Sequence, residues 1–426
     1  VSVLAWASTA VFLTAYALIA TEKISRVAVA LGGAGIMLAL HATDARAAFF
    51  AEHTGVDWNV VFLLLGMMII VGVLKETGLF EYLAIWAAKR ARGRPFRLMV
   101  LLVIITAVAS ALLDNVTTVL LIAPVTFLVC ARLALPVAPF LISEALASNI
   151  GGAATLVGDP PNIIIASRGN LSFNDFLVHM APMVILLMVV FIGLCWLLWG
   201  RRLRYDSVRA SEIMTLDERE TIADRKLLWQ GLAVLAAVTA VFVLHPILGY
   251  EPSVVALLGA GVLVAVTRVT TEQALAEVEW PTLVFFAALF VMVGALVETG
   301  VIGQLSQAAV DATAGRPGLT AMGLLGGSAV LSAIVDNIPY VATMSPIVAE
   351  LVNSGGGQVQ WWALAFGADL GGNATAVGAA ANVVILGIAA RNGTPIGFWQ
   401  FTKYGLIVTA VTVTLVAPYL WLRYLL

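Results

Sequence analysis

Asp114-Asn115 and Asp336-Asn337 repeat one dipeptide 222 residues apart, each inside a long apolar stretch. Ser110, Thr117 and Thr118 surround the first; Ser332, Thr343 and Ser345 surround the second. Two further apolar stretches are interrupted near glycines and carry similar residues. One holds Glu144, Ser148, Asn149, Thr155, Asp159 and Asn162; the other holds Asp369, Asn373, Thr375 and Asn382. Carboxamides, hydroxyls and freed carbonyls can replace the hydration shell of an ion, and helix N-termini at the same breaks can meet an anion. A carboxylate in apolar surroundings is costly, so each acid needs a reason: an ion to coordinate or a proton to carry. The plainer role is a helix cap. Asp159 precedes Pro160-Pro161, a pair suited to the first turn of a helix. Glu144 has Leu364 at the matching position, and Asp159 has no acidic counterpart either.

These residues need elements that hold them in an apolar medium. Of 426 residues, 61% are hydrophobic and 11% charged. Mean hydropathy is +1.00. Soluble domains are about 25% charged, so the balance excludes an ordinary soluble fold. Runs such as Met183–Leu198 and Leu406–Leu420 suit a bilayer core that takes roughly 20 residues of helix. Val1–Ala20 lacks a basic flank and a cleavage site, so it reads as a membrane helix rather than a signal peptide. A net charge of −2 gives nucleic acid nothing to bind. Cys130 and Cys195 lie in apolar runs and read as free buried thiols. Two cysteines are too few for a tri-thiolate metalloid site or a four-ligand zinc site. His41, His53, His179 and His245 form no metal motif.

The repeat extends well beyond the dipeptide. Gly72–Gly78 matches Gly294–Gly300, Trp58 matches Trp280 and Pro124 matches Pro346 at the same offset. After a slip of two, Gly151-Gly152-Ala153-Ala154-Thr155 matches Gly371-Gly372-Asn373-Ala374-Thr375, and Asn162 matches Asn382. A collinear series of this kind marks an internal repeat. The expected organisation is a first repeat over 1–199, a cytoplasmic linker over 200–226 and a second repeat over 227–426, fused as one transporter domain.

The expected fold is an all-α polytopic membrane protein. Each repeat has five spans and one re-entrant hairpin. In the first, the spans are 3–20, 25–40, 59–75, 137–167 and 179–199, with a hairpin over 98–131. In the second, they are 227–245, 252–267, 281–297, 361–390 and 404–422, with a hairpin over 320–351. With both termini outside, all 23 lysines and arginines except Arg46, Arg168, Arg316 and Arg423 fall inside. That is the expected bias of a cytoplasmic face. An odd number of spans per repeat makes the repeats inverted. Glu76 and Glu298 precede Thr-Gly and read as helix ends. Gly151, Gly152, Gly371 and Gly372 read as breaks or close approaches, with Gly151 and Gly371 expected to let backbone approach substrate.

The runs Ser110–Val119, Ala147–Thr155 and Gly158–Ile164 resemble the ion transporter superfamily. That group includes arsenite permeases, sodium/proton antiporters of the NhaD type, the melanosomal P protein, and citrate and dicarboxylate carriers. The runs look most like the arsenite permease and P protein branch. The resemblance implies inverted repeats, two re-entrant hairpins, and a substrate site between hairpin tips and broken helices. It also implies a plasma-membrane location, a homodimer and, for the arsenite branch, a cytoplasmic ATPase partner. The chain departs from the Ser-Asn-Thr signature of the dicarboxylate branch. Its core segments also show no arginine or lysine to offset an organic dianion.

The reading that follows is secondary active transport by alternating access, without a cofactor, driven by Na+ or H+. The main expectation is proton-coupled arsenite or antimonite efflux. The alternatives are sodium/proton exchange and sodium- or proton-coupled transport of an inorganic anion or carboxylate. A coupling or transported Na+ is expected near Asp114 and Asp336. There is no Walker-type loop to energise pumping. A passive pore fits broken helices poorly, and an intramembrane enzyme would need a nucleophile and base pair that the core does not offer.

Overall fold

The structure, a computed structural model, describes residues 2–426 except 22, 23, 52, 53, 202, 215, 216, 313 and 314. Lys23 and Arg202 of the charge bias, and His53, therefore lie outside the described residues. The fold is all-α. Up to the linker the helices are α1 (Val3–Thr21), α2 (Arg26–Ala39), α3 (Ala45–Phe50), α4 (Trp58–Lys75), α5 (Leu79–Arg90) and α6 (Pro95–Leu112). They continue as α7 (Asn115–Leu133), α8 (Val137–Gly152), α9 (Pro160–Gly169), α10 (Phe173–His179) and α11 (Ala181–Cys195). The linker holds α12 (Ser207–Ile213). Then follow α13 (Arg225–Leu248), α14 (Pro252–Val266), α15 (Thr271–Ala276), α16 (Trp280–Glu298) and α17 (Val301–Ala312). The chain ends with α18 (Pro317–Ile334), α19 (Asn337–Leu351), α20 (Val359–Gly371), α21 (Ala380–Arg391) and α22 (Phe398–Tyr424).

Eight helices among the described residues are long and apolar enough to cross a membrane: α4, α6, α7, α11 with its continuation to Gly200, α13, α16, α18 and α22. The chain is a polytopic membrane protein. The interruptions fall where polar residues cluster. α6 gives way to α7 at 113–114, and α18 to α19 at 335–336. α8 and α9 are separated by 153–159, and α20 and α21 by 372–379. The short helices α3, α5, α10, α15 and α17 were not in the segment plan. α5 ends in Lys89 and Arg90, so it never presents a long uncharged window.

Packing recurs with the two parts of the chain exchanged. α6 packs on α8, and α18 on α20. α4 packs on α14, and α2 on α16; α7 packs on α21, and α9 on α19. The tightest approaches use glycine. A Cβ on Gly371 would lie 2.6 Å from the Ala329 carbonyl oxygen of α18, and one on Gly151 would collide with the backbone at Ala107 of α6. These glycines admit a neighbouring helix, the close approach expected of them. Gly152 and Gly372 face the backbone of Gly158 and Gly378 across their own breaks.

The linker is docked. Ala223 donates its N–H to the Thr77 carbonyl, and Lys89 Nζ lies 2.5 Å from Glu218 Oε2. That hydrogen bond holds the Glu218 carboxyl below its usual value. The tie is therefore present above the ordinary carboxylate range and is lost as pH falls through the lowered value. Protection of the 217–224 amides, relative to their intrinsic exchange at the same pH, is expected to fall on acidification, and in Lys89→Ala to be low without it. For the helix contact, Gly371→Ala is expected to cost about 1–3 kcal/mol of stability through overpacking. Gly387→Ala, where a Cβ meets nothing within 4 Å, is the control. Thermal unfolding in detergent measures both.

Candidate functional site

The four breaks meet in one buried polar network. Asn115 and Asn337 are the first residues of α7 and α19, and each turns its amide toward Asp159. Asn115 Nδ2 lies 3.0 Å from Asp159 Oδ2, and Asn337 Nδ2 lies 3.3 Å from the same oxygen. Asp159 occupies the N-cap position of α9 but caps nothing with its side chain. Its carboxylate instead joins α7 to α19. The acidic side chains around it are Asp369, Asp336 and Asp114.

Asn149 of α8 extends the network. Its Oδ1 accepts from Asn115 Nδ2 at 3.1 Å, and its Nδ2 donates to Asn373 Oδ1 and Asn382 Oδ1, both at 3.0 Å. Asn382 Nδ2 donates to the Gly372 and Thr375 carbonyls, and Asn162 Nδ2 to the Thr155 carbonyl. Asn149 and Asp369 are equivalent under the offset of 220, so an amide in one part of the chain stands where the other has an acid.

The hydroxyls brace the breaks. Ser110 donates to the Ser148 carbonyl and Ser332 to the Ala368 carbonyl, each at 2.7 Å. Thr155 donates to Ala111 O and Thr375 to Ala333 O, each at 2.6 Å. The repeated acids act partly as caps. Asp114 Oδ1 accepts the Thr117 N–H at 2.7 Å, and Asp336 Oδ1 accepts the Ile338 N–H at 3.1 Å. Glu144 stands apart from the amide network, its Oε1 accepting from Thr126 Oγ1 at 2.6 Å. Thr118 is buried with its hydroxyl unpaired.

The network holds more acceptors than donors. Asn115 Oδ1, Asn337 Oδ1, Asn162 Oδ1 and both oxygens of Asp369 are buried without a hydrogen-bond donor in the geometry shown, with the Asn162 side chain beside Asp369, against one unpaired donor group of the network, Asn373 Nδ2. Each such group costs about 1–3 kcal/mol if it stays unpaired. A centre of this kind can satisfy a ligand that brings positive charge or hydrogen-bond donors. Among the described residues, no group of three or more His, Cys, Asp or Glu converges to hold a metal ion.

One basic residue does reach the carboxylates, contrary to the expectation from sequence. Arg26, at the start of α2, places Nη1 3.3 Å from Asp336 Oδ2. It lies beside Glu279, which also escaped the sequence reading. The signal was present: the offset of 222 pairs Glu279-Trp280 with Asp57-Trp58.

Two cavities are lined in part by chain neighbours of the network residues. One, of about 290 Å³, is lined by Arg26, Glu279, Asp336, Val116, Val377 and Ala380. The other, of about 1040 Å³, includes Asp57, Arg168, Leu156 and Ile163 in its lining. Asp57 and Glu279 are repeat equivalents, as are Ile163 and Val383, which lines the smaller cavity.

The family profile of citrate transporters matches residues 16–367. An uncharacterised transporter of Mycobacterium tuberculosis is 57% identical over 97% of both chains. A 46 kDa membrane protein of Mycobacterium leprae is 54% identical over 97% of this chain and 98% of its own length. The P protein of Homo sapiens is 33% identical over 97% of this chain, which spans 59% of that protein. The crystal structure of the Alcanivorax borkumensis YdaH transporter superposes with a TM-score of 0.61 at 18% identity, covering 85% of each chain, which is a likeness of fold. These matches make the chain a transport protein and not an enzyme. It is a secondary transporter, and it belongs to the citrate transporter family of the ion transporter superfamily.

Proposed function

We propose that the chain is a sodium-coupled secondary transporter whose centre is the Asp159–Asn115–Asn337 junction together with Asp369. The observation that carries this is the surplus of buried acceptors. A proton could serve Asp369, but it cannot serve three amide oxygens. A sodium ion accepts carboxylate and amide oxygens together, as hard cations do.

The proposed architecture is two inverted repeats, 1–199 and 227–426, joined by the linker 200–226. Each has five spans, with the broken pairs α8/α9 and α20/α21 counted once, and one re-entrant hairpin, α6/α7 or α18/α19. The crosswise packing of α2 with α16 and α4 with α14 supports it. The bias of basic residues supports a plasma-membrane orientation with both termini outside. The cavities then lie on opposite sides of the network, as alternating access needs.

The cargo favoured by the family match is a carboxylate or inorganic anion, its charge offset by sodium. Arsenite or antimonite efflux is the second reading. A neutral trihydroxide would donate to the same unpaired acceptors, but the matching family is that of citrate transporters.

The test is purified protein in liposomes, offered citrate, phosphate or arsenite under separate sodium and pH gradients. Uphill uptake driven by the sodium gradient is expected. Flux in the wild type that ignores both gradients would overturn the reading. Asp159→Ala and Asp369→Ala are each expected to lower sodium-driven flux by at least about tenfold, the loss of roughly 1.4 kcal/mol of ion binding. Asp159→Ala also strands the Asn115 and Asn337 amides, so its unfolding temperature should fall below that of Asp369→Ala.

A further inference from the structure

Arg26 makes an unusual ion pair. Permanent arginine–carboxylate pairs commonly use two parallel bonds. Here one nitrogen meets one oxygen at 3.3 Å, with the Arg26 side chain 36% exposed and Asp336 17% exposed. The other terminal nitrogen lies 3.5 Å from Thr282 Oγ1, whose hydroxyl donates to Glu279 Oε2 at 3.2 Å. The guanidinium also stands 5.4 Å from the centre of the Phe285 ring. It thus sits between two carboxylates, facing the cavity of about 290 Å³ that reaches Asp336.

The repeat isolates the feature. The position equivalent to Arg26 is Leu248, and Asp114 has no arginine ion pair among the described residues. The chain carries an acid at both tips and a counter-charge at one.

We propose that Arg26 is a tethered competitor of the coupling cation. It occupies Asp336 when no cation is bound there and yields that carboxylate when a cation arrives through the cavity. This rests on the sodium-coupled reading and adds the residue that sets the sodium concentration at which the site fills. Glu279 and the Phe285 face retain the displaced guanidinium, so the exchange leaves no buried charge without a partner. A cation entering this cavity meets Asp336 before it meets Asp159.

The experiment is thermal unfolding of the purified full chain titrated with sodium chloride, with choline chloride holding ionic strength constant. The readout is the half-saturating sodium concentration for stabilisation, which a merely structural role of Arg26 would not move. Arg26→Ala is expected to lower it roughly fivefold, the factor for a part-exposed ion pair. Arg26→Lys keeps a competing cation and is expected to stay within about twofold of wild type. In an Asp336→Asn background, Arg26→Ala is expected to change nothing, because the contested carboxylate is gone. Arg26→Gln supplies the same comparison if Arg26→Ala does not fold.

A wild type that sodium does not stabilise overturns the sodium-coupled reading, and this inference with it. A responsive wild type whose midpoint is unmoved by Arg26→Ala overturns the inference alone. A shift that persists in Asp336→Asn does the same, because it shows general electrostatic repulsion and no competition.

Discussion

The fold depends on the Asp159 carboxylate receiving the amides of Asn115 and Asn337. α7 and α19 both begin in the middle of apolar packing, where their first N–H groups have no water to bond. Asp114 and Asp336 satisfy one of those groups each. Asn115 and Asn337 would then be buried polar side chains in two separate places. Asp159 makes them one place, because a single carboxylate has enough lone pairs for both. The breaks in α8/α9 and α20/α21 become tolerable because Asn149 ties them to this junction.

The braces around the junction are of a different kind. Ser110, Ser332, Thr155 and Thr375 donate to main-chain carbonyls at equivalent positions in the two parts of the chain. With the glycine contacts of α8 on α6 and α20 on α18, they fix each broken helix against one partner. The polar centre is left between two such units, and its unpaired oxygens are turned inward. A site held by rigid flanks is better placed to bind an ion than one held by loops.

Much of this was legible in the sequence. The offset of 222 found both tips, and a slip to 220 found both broken stretches and most residues of the network. Repetition gives weight to what the two parts share, which includes the caps at Asp114 and Asp336 and the hydroxyl braces. Asp159 has no acidic counterpart, so symmetry gave it little weight, and two prolines after it offered a plain explanation. The structure puts it at the junction. Arg26 was illegible for another reason. An arginine opening an apolar segment reads as a topological charge, and only tertiary packing brings it to an aspartate 310 residues away. Glu279 was hidden because its repeat partner, Asp57, looks like an ordinary cap, which it is for Val60.

The equivalence of Asn149 and Asp369 has a consequence for the symmetry of the centre. Where one part of the chain carries an acid the other carries an amide, and Glu144 and Asp159 likewise stand opposite Leu364 and Ala379. Exchanging the two parts therefore does not reproduce the polar centre. The backbone frame is duplicated, but the charge pattern set into it is not.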